Sequence, residues 1–191
     1  TGGGAAVVEL PLTCGQAAAD DPCGPDAHGY YAFDDLDTGY ARAPVYDWVE
    51  IDPGLGGPGT SLGLADYALY GDQSAQVTLP FTFRYYGRDF TRITVCTNGW
   101  LSFGATPVLY YRNWQTPTPG AADDMVCAFW HDLIQSPTEG GVFWWHDAAR
   151  HRVVVEWSRL LNQVDGTSPE TFEVILVDPA YAAGETGDGF V

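Results

Sequence analysis

Three aspartates packed into four positions, Asp34, Asp35 and Asp37 within GYYAFDDLDTGY, are the densest group of potential ligands in the chain. Carboxylates held this close repel one another unless a cation sits between them, and hard cations such as calcium take six to eight oxygens. Asp47, Glu50 and Asp52 lie close enough in sequence to fold back and add donors. Calcium at Asp34, Asp35 and Asp37 is therefore the metal these residues point to. The order DDLDTG lacks the spacing and the acid at the twelfth position that an EF-hand loop needs. The competing reading is a solvated turn whose Asp side chains cap local backbone amides.

A second chemistry-bearing stretch is TPVLYYRNWQTP, which places Tyr110, Tyr111, Arg112, Asn113 and Trp114 in one irregular connection. Flat aromatic platforms with a few amides and carboxylates are how proteins hold sugars, so Tyr110, Tyr111 and Trp114 are the candidate glycan contacts. Trp100, Trp130, Trp144, Trp145 and Trp157 show that the chain also uses aromatics to pack its interior. The pairs His131-Asp132 and His146-Asp147 invite a zinc reading, yet adjacent strand residues point to opposite faces and no ligand spacing is matched. A hydrolytic pairing of Asp132 with Glu156, or of Ser158 with a distant His and Asp, has no local signature such as a GxSxG elbow. Cys96 and Cys127 sit in apolar strand patterns without the electropositive setting that activates a thiolate.

These residues must be positioned by strands. LPFTFRYYGRDFTRITVCTNGWLSFG, from Leu79 to Gly104, reads as three successive strands, the last two joined by the Asn98-Gly99 hairpin turn. VYDWVEI, Met125 to Trp130, Gly141 to His146, Arg152 to Trp157 and Thr171 to Val177 complete the set, with AAVVELPL a further strand near the start. In RVVVEWSR, Val153, Val155 and Trp157 alternate with Val154, Glu156 and Ser158, and cross-strand charge pairs suffice to explain Glu156, Arg152 and Arg159 on an outward face. DPGLGGPGTSLG is a Gly/Pro loop. With 23 Gly and 13 Pro and no long helical periodicity, the chain is all-β.

Composition narrows the function classes. Eight Lys+Arg, all of them Arg, against 25 Asp+Glu give a net charge of −17, which opposes binding to a phosphate backbone. No apolar run approaches the length of a membrane-spanning helix, so no membrane insertion is expected. Cys14 and Cys23 flank the polar loop GQAAADDP and are predicted to form a disulfide in an oxidising compartment. Cys96 and Cys127 fit a buried thiol as well as a cross-strand bridge.

The ordered set LPFTFRYYG, TNGWLSFG, CAFWHDL, GGVFWWHD, RVVVEWSRLLN and TFEVILVD resembles a bacterial secreted β-sandwich module of the kind associated with gingipain-type cysteine peptidases. It is also distantly similar to nidogen-like extracellular domains. The resemblance implies a non-catalytic accessory module, structural or adhesive, in a larger secreted or cell-surface bacterial protein. Its expected partners are neighbouring domains, surface proteins or glycans. The architecture expected is an antiparallel β-sandwich, jelly-roll-like or nidogen-like, over residues 29–191, with residues 1–28 as an N-terminal segment. Because GETGDGFV ends at a turn followed by two apolar residues, the sheet is expected to be completed by further strands or another chain. Alternatives from other classes are a carbohydrate-binding module, a peptidase-associated domain and a subunit of a surface assembly built by strand addition.

Overall fold

The computed structural model describes residues 21–67, 71–113, 116, 118–164 and 166–191. The chain forms two units, residues 1–47 and 48–191. In the first, the described residues carry turns and one isolated bridge between Cys23 and Ala32. The expected AAVVELPL strand lies outside the described residues.

The second unit holds two antiparallel sheets. The strands are β1 (Thr60–Ser61), β2 (Ser74–Tyr85), β3 (Arg88–Cys96), β4 (Trp100–Phe103), β5 (Met125–Val126), β6 (Leu133–Ile134), β7 (Gly141–Asp147), β8 (Arg152–Asn162) and β9 (Pro169–Val177). One sheet runs β2-β3-β4-β5; the other runs β1-β7-β8-β6, with β9 also paired to β8. The expected all-β antiparallel sandwich is the observed fold.

Alternation builds the core. Val153, Val155 and Trp157 of β8, Val174 and Leu176 of β9 and Val142 of β7 face Phe83, Ile93, Val95, Leu101 and Phe103 of the other sheet. The indole of Trp157 donates to the Cys96 carbonyl at 2.8 Å, which ties the sheets together by a buried hydrogen bond as well as by area. Asn98-Gly99 turns β3 into β4 as the sequence predicts. Gly99 has φ +74°, and a Cβ there would meet the Phe129 carbonyl at 1.9 Å, so both conformation and space require glycine. Asn98 is buried, its amide donating to Leu109 C=O and its oxygen accepting from Leu133 N–H.

VYDWVEI is not a strand. Its backbone donors go to side chains: Val49 N–H to Glu173 and Ile51 N–H to Glu156. This stretch and the turn after it form a strap, residues 48–59, over the outer face of the five-stranded sheet. Ile51 packs there on Phe143 and Val154, flanked by Val49, Trp145 and Ile175. The strap reverses at a 3-10 turn, Pro53–Leu55, capped by Asp52, whose carboxylate accepts from Gly54 N–H. Gly57 and Gly59 press against the Ile51 backbone where any Cβ would overlap it.

At the far end of the chain, Gly189 N–H donates to Arg84 C=O of β2 and Phe190 C=O accepts from Val177 N–H of β9. Residues 189 and 190 thus bridge an end of each sheet.

The expected Cys14–Cys23 disulfide includes a residue outside those described. Among the described residues no two cysteines are bridged; Cys96 is a buried and Cys127 an exposed free thiol. Burial pushes the Cys96 thiol up to about 12, which leaves it un-ionised at neutral pH. Cys23 is not one of the free thiols, and its expected partner Cys14 lies outside the described residues.

Candidate functional site

A cleft of about 260 Å³ opens beside β3 and β4, lined by Arg88, Phe90, Ser102, Phe103, Thr106 and Asp124 among others. Pairing of β4 to β5 is confined to Leu101 and Ser102, so the end of β4 is left to form a wall. Arg88, at the start of β3, donates to Asp124 at 2.6 Å and lies 5.2 Å from the centre of the Phe90 ring. Asp124 holds φ +52°, a region that non-glycine residues enter at a cost, and its carbonyl accepts from Phe103 N–H. Ser102 is buried, yet its Oγ has no hydrogen-bond partner among the described residues. A buried hydroxyl left unsatisfied costs free energy. The accessible lining of the cleft is polar, with the Arg88–Asp124 pair, Asp123 and the Phe90 ring.

A family model described as NIDO related matches residues 57–179. The chain belongs to the NIDO-related family. No curated protein and no solved structure matches it. The match bears out the nidogen-like half of the resemblance. It gives no support to a bacterial origin or to a gingipain-type association.

In this NIDO-related chain two acids of the first unit's cluster cap their own turn. Asp34 accepts from Leu36 N–H, and buried Asp37 accepts from Asp34 N–H. Among the described residues no group of three or more His, Cys, Asp or Glu side chains could hold a metal ion. One carboxylate oxygen each of Asp34 and Asp37 is thus taken by a backbone amide of their own turn.

The aromatic connection is used for packing. The Tyr110 carbonyl accepts from the indoles of both Trp100 and Trp130, and Tyr110 packs on that cluster with Val108 and Met125. Tyr111 is half-buried with Arg112 over its ring, and Trp114 lies outside the described residues. His146 is exposed on β7, and Asp147 beside it is buried and bonded to Arg150 and Arg152. Although burial opposes its ionisation, those bonds hold the Asp147 carboxyl below its ordinary value. Ser158 donates to Asp52 at 2.7 Å and has no histidine partner there.

Glu156 does not stand on a solvated face with charge pairs. It is fully buried beneath the strap, directly opposite Glu173 of β9, and accepts from Ile51 N–H at 2.8 Å. Burial, reinforced by Glu50, Asp52 and Glu173, pushes its carboxyl up to about 7. Asp66 is a second buried carboxyl, raised to about 6 chiefly by burial, with Thr97 Oγ1 donating to it at 2.8 Å. The alternation in RVVVEWSR puts Glu156 on the right face. Only the distant strap makes that face an interior.

Proposed function

We propose that this chain is a non-catalytic extracellular module of the NIDO-related family that supports and adheres, holding a partner molecule or neighbouring domain at the outside of a cell. The observation that carries this reading is the span of the family match, residues 57–179, which takes in every strand of the sandwich. What the family shares is thus the scaffold itself, and function on such a scaffold lies in grafted surface sites. The buried carboxylates favour a scaffold role as well: Asp52 accepts from both Ser158 and Arg159, and Asp147 from two arginines.

A carbohydrate partner is the second reading, and a specific observation favours it: the cleft that sets the Phe90 ring beside the Arg88–Asp124 pair. The cleft serves a sugar better than Tyr110, whose carbonyl and ring are taken up by the tryptophan cluster.

Adhesion measures the proposal. Beads carrying the whole chain should adhere to surfaces coated with extracellular matrix proteins or glycans, and Arg88→Ala should weaken adhesion to a glycan surface. Beads that adhere to none of these surfaces would contradict the adhesive role. Adhesion indifferent to Arg88→Ala and Ser102→Ala would remove the cleft from it.

A further inference from the structure

The strap over the five-stranded sheet is fastened by carboxylates where a strand would use its backbone. Glu156 Oε2 accepts from Ile51 N–H at 2.8 Å, and Glu173 Oε1 accepts from Val49 N–H at 3.3 Å. One residue further on, Asp52 Oδ2 accepts from Ser158 Oγ and from Arg159, each at 2.7 Å. Beneath these bonds Ile51 seals Phe143 and Val154 from water.

Glu156 is the strained member of this fastening. It is fully buried, and its Oε1 has no hydrogen-bond partner among the described residues. Among the described residues the ionisable side chains that bear on it are acidic: Glu173 from β9, and Glu50 and Asp52 from the strap. The residue opposite on β7 is Phe143, which brings no charge. Of the two cations on its own strand, Arg159 is turned onto Asp52 and Glu139, and Arg152 onto Asp147. A carboxylate in that position would be buried, unpaired and surrounded by like charge, whereas a neutral carboxyl keeps Oε2 as acceptor for Ile51.

We infer that residues 48–52 form a proton-dependent latch: with Glu156 neutral the strap is fastened, and when Glu156 ionises the strap loosens and uncovers the apolar face of Phe143, Val154, Trp145 and Ile175. The proton leaves Oε1 for solvent and no covalent bond changes. Fastened, the carboxyl titrates near 7; released into water it returns to its ordinary 4.5. The fastened state thus binds more protons between those two values, so the latch weakens as pH rises through that window and is weakest above it.

Amide exchange on the whole chain, corrected for intrinsic rates, tests the latch at about pH 5 and about pH 8. Protection at Val49 and Ile51 should fall by roughly tenfold or more on going to the higher pH, while Val153 and Val155 within β8 keep theirs. In Glu156→Gln, which has no proton to lose, protection of the strap should be the same at both pH values. Glu173→Gln removes the opposing charge and should shrink the loss, which gives a second reading if Glu156→Gln does not fold. Three results would overturn the inference: pH-independent protection at Ile51, loss shared equally with β8, or an undiminished pH dependence in both variants. Calcium chloride that restores strap protection at about pH 8 would overturn it too, since a cation and not a proton would then be the fastening.

Discussion

At Gly99 a single residue carries a turn, a left-handed φ of +74° and a contact with the Phe129 carbonyl that leaves no room for a Cβ. Gly99→Ala should destabilise the chain by roughly 3 kcal/mol or more in urea unfolding, because strain and overlap add. This position was legible in the sequence, since Asn-Gly between alternating strands has few other meanings. Glu156 was legible only in part. Its face follows from alternation, but its burial depends on Ile51, over a hundred positions away, and no local pattern reports that. The consequence is a pH dependence of opposite sign to that of most acidic residues. Glu156, raised from 4.5 to about 7, removes stability as pH climbs through that interval, and Glu156→Gln should flatten the fall in Tm there. Asp147, despite its burial, is held below 3.8 by Arg152 and Arg150, so its contribution is present at neutral pH and is lost on acidification below that value. In the three-aspartate turn, Asp34 and Asp37 also cap local backbone amides, a use that spacing alone does not distinguish from metal ligation.

The long strands β2, β3, β7, β8 and β9 were readable because apolar residues recur at every second position between turn residues. The two-residue strands β1 and β6 were not, since a pair of residues carries no period. VYDWVEI misled for a related reason: it alternates like a strand, but the acids Glu156 and Glu173 satisfy its amides and no neighbouring strand pairs with it. The strap predicts its own weak point. Ser158→Ala removes a buried hydroxyl that donates to Asp52 and should cost about 1 to 3 kcal/mol, measured by denaturant midpoint at constant m. Exchange of the Ile51 and Gly54 amides should rise more than that of β8 amides. Equal rises would mean that the strap and the sheet open together.

Across the whole molecule the charge of −17 acts on every conformation at once. Self-repulsion is larger in the compact state, so Tm at neutral pH should increase between low salt and about 0.3 M sodium chloride, and a decrease would mean that the arginine pairs outweigh it. Fold class and family likeness were written across the strands in order. The cleft was not, because Arg88, Ser102 and Asp124 come from three separate segments and meet only through the pairing of β3, β4 and β5. The central claim is that this NIDO-related sandwich holds a partner without transforming it. Calorimetric titration of the whole chain with a glycan or matrix protein to which it adheres, followed by mass analysis of the recovered molecule, tests that claim most directly. The account predicts saturable binding, weakened by Arg88→Ala when the partner is a glycan, with the recovered molecule unchanged in mass. A cleaved or modified molecule, whose formation stops in a single-residue variant, would contradict it.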